Sequence, residues 1–319
     1  MTLLPALDGS FGDGLVRVAD EQASWSDLAS RANGLGRAMQ GMSAVAIDAT
    51  PTLTYTLGQT MYTPKDITQA APQPNDRPWA AFLYVGITGS HNDGNGSFST
   101  ADLKLGYAGQ GAQGELTQQT VHRLIGSPQP MGWANQIEPR LGVQLSYAKV
   151  KLLEQDLLKD RVGLQFGWGG AAGTLRTYAN ANATIVVGDL GSFGGHRAPP
   201  VLIANEGDFV VQDFGNLAIY KRPFAYLSVG ANLVAYNHFI SGTTPYGTSN
   251  LKHLPLVAVA QAGVSLPLDT WFNPHLGRRY LPRLVFALNA RSSEFEVIGS
   301  NTPGGVQRWG SFTLNWDFE

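Results

Sequence analysis

Alternation with a period of two runs through most of this chain and constrains its fold more than any other feature. In residues 140–151, Leu141, Val143, Leu145 and Tyr147 are apolar, while Gly142, Gln144, Ser146 and Ala148 between them are small or polar. Residues 161–168 set Val162, Leu164, Phe166 and Trp168 against Gly163, Gln165 and Gly167. Residues 225–233 set Ala225, Leu227, Val229, Ala231 and Leu233 against Tyr226, Ser228, Gly230 and Asn232. Residues 311–318 set Phe312, Leu314, Trp316 and Phe318 against Ser311, Thr313, Asn315 and Asp317. Successive strand residues point to opposite sides, so each segment carries one apolar face and one glycine-rich or polar face. Further candidates at 53–61, 80–90, 98–109, 174–187, 201–211, 255–268 and 280–290 bring the expected number of strands to about twelve. Breaks rich in Gly, Asn and Pro, such as 90–96 and 241–250, separate them. No repeat or low-complexity linker divides the chain, so 1–319 is expected to be one domain, with 1–50 alternating worst.

A soluble β-sandwich alternates too, and composition argues against it. Charged residues are 14% of the chain, against about 25% in ordinary soluble proteins. Mean hydropathy is nevertheless only -0.09. The missing charge is replaced by neutral polar residues and 38 glycines, not by apolar runs. A face of Gly, Ser, Asn, Gln and Thr suits a protected lumen better than a solvated surface. Several segments reach the ~9–11 residues that a tilted strand needs to cross a bilayer. Trp79, Tyr107, Tyr147, Trp168 and Trp316 fall near strand ends, as interfacial aromatics do, and Phe318 stands one residue before the end of the chain. The expected fold is therefore all-β, a closed antiparallel transmembrane β-barrel of about twelve strands in the bacterial outer membrane, in contact with membrane lipids.

Other classes are excluded more simply. The net charge of -2 and the lack of a basic tract give no footprint for nucleic acid. Absence of cysteine removes disulfides, thiol nucleophiles and Cys-based zinc sites. No stretch approaches the ~18 apolar residues of a membrane helix. The opening MTLLPALDGSFGDG lacks a basic leader and an apolar core, so an export signal is expected to have been removed or to lie upstream.

One segment breaks the alternation. Residues 114–125 lack period two and contain no Pro, which predicts a short helix after the glycine-rich turn at 109–114. On that helix Glu115, Gln118 and His122 are spaced i, i+3 and i+7 on one polar face. Imidazole is the side chain best suited to general-base work near neutral pH, so His122 is a candidate base, Gln118 a group to orient it and Glu115 a more distant helper, while the residues alone equally describe a histidine hydrogen-bonded under a barrel rim. The other histidines (His91, His196, His238, His253 and His275) sit near expected turns, and no His-x-x-x-His or carboxylate ladder suggests zinc. No Gly-x-Ser-x-Gly elbow is present.

Four pieces in order carry a resemblance. They are 57–67 (LGQTMYTPKDI), 75–80 (NDRPWA), 109–126 (GQGAQGELTQQTVHRLIG), and Gly132-Trp133 followed by Gln136-Ile137-Glu138. Their order and spacing resemble the outer-membrane lipid A 3′-O-deacylase family over roughly residues 53–150. That resemblance implies a twelve-stranded barrel that hydrolyses the 3′-linked acyloxyacyl ester of lipid A, in lipopolysaccharide of the outer leaflet. It implies dependence on calcium (Ca²⁺), a hard Lewis acid placed where oxyanion charge develops. It also implies His122 as the base that activates water, with Gln118 beside it, and a monomeric enzyme.

The family's other half-site, an Asn-Asp pair and a Tyr-Thr-x-Gly strand, matches Arg17-Val18-Ala19-Asp20 and Arg31-Ala32-Asn33-Gly34 only in part. Asp20 is then the candidate metal ligand and Asn33, with Glu115, an oxyanion or supporting group. Ala19 and Ala32 stand where the family has Asn and Thr, and alanine offers neither ligand nor donor. Three readings follow: an active Ca²⁺-dependent deacylase, an impaired or non-enzymatic barrel of the same family, and an unrelated porin-like or soluble β protein.

Overall fold

The computed structural model describes residues 14–18, 52–92, 97–157, 161–189, 202–203, 209–210, 223–268, 283–300 and 302–315. The chain is mostly antiparallel β with few helices. Eleven strands form one curled sheet in strict sequence order. They are β1 (Gly14–Val18), β2 (Thr52–Tyr62), β3 (Ala80–Asn92), β4 (Ser97–Ala108), β5 (Arg140–Leu157) and β6 (Val162–Gly173). The sheet continues with β7 (Arg176–Gly188), β8 (Phe224–Asn237), β9 (Leu256–Pro267), β10 (Arg283–Arg291) and β11 (Gln307–Asn315). Among the described residues no pairing joins β11 back to β1.

Register converts the alternation into two continuous surfaces. Leu57 pairs with Val85, Val85 with Leu105 and Leu105 with Val143, so one apolar row crosses four strands. Leu227, Ala262 and Leu288 make a second such row on the far side of the sheet. Side chains of these rows are exposed. The opposite face is polar and buried. There Gln165, Thr184, Ser228, Gln261 and Asn289 lie side by side across β6 to β10. Thr184 Oγ1 donates to Ser228 Oγ at 2.7 Å and Gln261 Nε2 to Asn289 Oδ1 at 2.6 Å. An apolar outside and a hydrogen-bonded inside is the arrangement that lipid imposes on a sheet, because its backbone and polar side chains must find partners within the protein.

The polar row is packed, not wet: Thr184 and Ser228 are at most 1% exposed. Some inner positions demand glycine because a neighbour occupies the space of a side chain. A Cβ on Gly263 would lie 2.3 Å from the Tyr226 hydroxyl, and one on Gly58 would lie 2.5 Å from the Tyr84 ring. The glycine-rich face therefore lets large inward side chains fill the interior, in place of a water channel along these rows.

One expectation changes and one shifts at its edge. Residues 201–211 do not form one long strand. Within the described residues they give a separate two-stranded pair, Leu202–Ile203 with Phe209–Val210. Residues 174–187 form one strand, β7, whose start is shifted to Arg176. Thr174 and Leu175 turn the chain between β6 and β7, and the Thr174 hydroxyl bonds Val143 N and Leu141 O where β5 outruns β6.

At one end of the sheet the connections are long: 63–79, 109–139, 238–255 and 292–306. They pack on one another through backbone bonds such as Glu138 N to Thr243 O, Asn250 N to Pro74 O and Leu254 N to Glu294 O. These loops cover that end of the interior and carry the candidate site.

Candidate active site on the outer face of the wall

The helix predicted at 114–125 is present as α1 (Gly114–Ile125). Gln113 and Gly126 flank it in left-handed conformations, and the Gly126 and Ser127 amides both close on the His122 carbonyl. Its buried residues are Gly114, Gln118 and His122, one per turn along a single face. Glu115 is exposed and accepts a hydrogen bond from Gln119 Nε2 at 3.1 Å. Thus Gln118 and His122 come together against the protein, while Glu115 lies to the side.

What they face follows from strand parity. Met61 shares the orientation of Leu57, and its partner Ala81 that of Leu83 and Val85, all on the exposed apolar face. Met61 and Ala81 are buried only because Ile67, Trp79, Ala112, Trp133 and Val121 cover them. A Cβ on Gly114 would sit 2.6 Å from the Ala81 methyl, so the start of α1 rests directly on the wall. Gln59, on the same face, donates through Nε2 to the Ala112 carbonyl. The helix accordingly lies outside the curled sheet, with Gln118 and His122 held between helix and wall.

The returning segment 126–135 fixes both groups. The Pro128 carbonyl bonds His122 Nδ1. A carbonyl only accepts, so Nδ1 carries the proton of the neutral ring and the basic lone pair is on Nε2. Trp133 Nε1 donates to Gln118 Oε1 at 2.7 Å, with both side chains at most 1% exposed. This holds the amide with its oxygen toward the indole. Among the described residues its Nε2 is a buried donor with no hydrogen-bond partner, an arrangement that costs about 1–3 kcal/mol unless something accepts from it. The expected orienter of the imidazole is thus itself oriented by tryptophan, while the Pro128 carbonyl holds the ring. Trp133 in turn packs on Trp79, with ring centroids 5.0 Å apart.

These contacts explain the sequence pieces that surround the helix. Asp76 caps its own loop, accepting from Lys65 N at 2.8 Å and from Arg77 N at 2.7 Å. Arg77 turns inward to pair with Glu294. Trp79 and Trp133 seat the helix outside. Asp20 and Asn33 lie outside the described residues. Among the described residues no cluster of three or more His, Asp or Glu side chains could hold a metal ion.

A model of the family described as "Outer membrane protein LpxR" matches residues 13–318. The chain belongs to the LpxR family. It is an outer-membrane protein. Among solved structures, LpxR from Salmonella typhimurium shares the fold at a TM-score of 0.64 and 20% identity, over 86% of each chain. No curated protein sequence matches the chain. In this LpxR-family fold, α1 and the segment 126–135 bury Gln118 and His122 on the exposed apolar side of the wall, separate from the interior.

The same end holds a second polar cluster, inside. Glu294 is buried against Arg77 and Arg291, the latter at 2.8 Å. Burial alone would raise its carboxyl pKa, but Arg291, Arg77 and Arg176 together hold it well below the usual carboxylate range. Arg176 donates to the Tyr62 hydroxyl at 2.9 Å and lies over the Tyr62 and Phe239 rings. A short helix, α2 (His238–Ser241), carries His238, whose Nδ1 lies 3.2 Å from both Arg140 Nη1 and the Tyr236 hydroxyl. Burial, with the Arg140 charge second, pushes the His238 pKa down to about 4. None of these partners was legible from sequence spacing.

Proposed function

We propose that the chain hydrolyses the 3′-linked acyloxyacyl ester of lipid A in the outer leaflet, as a monomer, with His122 as general base. The carrying observation is that His122 and Gln118 lie between α1 and the outer surface of the wall, on the side where lipid is the neighbour. A soluble substrate would favour a site in the interior or at the solvent-facing cap. A lipid ester favours this one, since its acyl chain stays in the bilayer while the ester reaches the helix.

In this reading the Pro128 carbonyl keeps the proton on Nδ1, so His122 Nε2 takes a proton from water as the oxygen attacks the ester carbonyl. The ester C–O bond then breaks, and the sugar alkoxide leaves with that proton. Gln118 Nε2, aligned by Trp133, supplies a donor to an oxygen of the reacting group. Ca²⁺ as electrophile remains part of the proposal on the family resemblance alone, since the described residues do not form a cage for it. No step above runs through the metal.

Purified chain incubated with lipid A in detergent, with and without a chelator, tests the reading. Release of the 3′-acyloxyacyl group, lost on chelation and in His122→Ala, is the expected result. Release insensitive to chelation removes the Ca²⁺ element, and no release in any condition removes the enzyme. The impaired-barrel reading draws on Ala19 and Ala32 and predicts that last outcome. A porin-like role is disfavoured by the packed, hydrogen-bonded rows of the interior.

A further inference from the structure

The inner face of α1 is accounted for by the wall, but its outer face is not. Leu116 and Leu124 are 61% and 81% exposed, and Ile125 and Met131, at the end of the helix and in the segment that follows, are 57% and 58% exposed. Leu116 and Leu124 are two turns apart on the side opposite Gly114 and Gln118. Thr120 and Arg123, both exposed, share that side. In a water-facing helix an 81% exposed leucine beside three other exposed apolar side chains has no compensation.

The wall next to the helix says what covers this face. Leu83, Val85, Leu105, Tyr107, Leu141 and Val143 are exposed on the strands that flank it. Gly111, just before α1, lies against the Tyr107 ring, where a Cβ would come within 2.5 Å. In an outer-membrane protein that exposed apolar surface meets lipid, and the Gly111–Tyr107 approach brings the start of α1 against it, with Gln110 and Gln113 the exposed polar residues of the turn.

We propose that the outer face of α1, with Met131, docks into the acyl-chain layer of the outer membrane at its polar boundary. Leu116, Leu124 and Met131 enter the acyl region, and the long Arg123 side chain carries its charge back toward the boundary, as snorkelling arginines do. The mix of leucines with Thr120 and Arg123 fits a helix that lies in the interface, not one that spans. This deepens the lipid-ester reading and rests on it only for its consequence: a helix bathed in acyl chains places His122 and Gln118 beside the bilayer that holds the ester.

The chain has no cysteine, so a single one can be introduced and spin-labelled without background. Leu124→Cys and Met131→Cys, each nitroxide-labelled, would be read by power saturation in vesicles of phosphatidylethanolamine and phosphatidylglycerol. Val85→Cys supplies the lipid reference, and Tyr246→Cys, 66% exposed on the cap, the water reference. Labels at 124 and 131 are expected to show the high oxygen and low nickel-chelate accessibility of position 85. Accessibilities like those at 246 overturn the proposal. So does dipolar broadening between labels at 124, which would assign the face to a second copy of the chain. The readout needs no turnover, so an inactive protein would remove the hydrolase reading and leave this one standing or falling by itself.

Discussion

Met61 and Tyr62 are neighbours in β2, yet they belong to two different environments. Met61 faces outward under α1, in the cluster with Trp79 and Trp133. Tyr62 faces inward, with Phe82, Ile137 and Phe239, and receives the Arg176 bond. On the inner side the buried carboxylate is matched: Glu294 has Arg77 and Arg291. Among the described residues, buried polar atoms without a hydrogen-bond partner occur on both sides: Gln118 Nε2 outside, and Thr60 Oγ1, Gln261 Oε1 and His238 Nε2 inside. The difference lies in charge: the inner carboxylate is closed by two arginines, while the outer groups make neutral contacts set by Trp133 and the Pro128 carbonyl. The inner cluster ties loops at the end of the sheet to one another; the outer groups lie buried under α1.

That comparison can be broken in graded ways. The largest effect is expected from His122→Ala, which should lower turnover of lipid A by roughly 10²–10⁴ without changing heat-modifiable migration on gels. A variant that loses its folded migration would make His122 structural and dissolve the distinction. Next is Glu294→Ala. It strands Arg77 and Arg291 without their carboxylate and should cost about 3–5 kcal/mol, read by urea unfolding in detergent micelles. An unchanged midpoint would show that the inner cluster contributes nothing.

Smaller still is Trp133→Phe, which keeps a ring against Trp79 and removes only the N–H to Gln118. The net worth of one hydrogen bond, about 0.5–1.5 kcal/mol, translates to roughly a 2–10-fold loss in kcat with KM little changed. A change in KM alone would detach the tryptophan from the chemistry. The smallest concerns acid. The His238 pKa is lowered from 6.5 to about 4, chiefly by burial and then by Arg140. Below pH 6.5 the unfolded chain therefore binds the proton more readily, and stability should fall as pH drops toward about 4, then level off for this group. His238→Gln should flatten that window, and a variant as acid-sensitive as the parent would contradict the assignment.

Much of this was written in the sequence, for a physical reason. Alternation is a local code, so β2 to β7 and β8 to β11 show it in their own residues, and α1 stands out as the stretch without it. His91, expected in a turn, still pairs with Ser99, because the hairpin runs further than its Asn and Gly residues suggest. The α2 helix was not legible: its four residues hold too few turns for any period to show. Contacts between distant segments were beyond reach altogether. Arg77 and Glu294 are 217 residues apart, and nothing in either neighbourhood names the other. Within the site, Gln118 and His122 could be read from helical spacing, but Trp133 and the Pro128 carbonyl belong to the chain that folds back along the helix.

The most direct test is the mass of lipid A extracted from cells that express this chain, beside cells that express His122→Ala. The account predicts a species lacking the 3′-acyloxyacyl group in the first and the intact species in the second. Intact lipid A in both, from protein present and folded in the outer membrane, would contradict it.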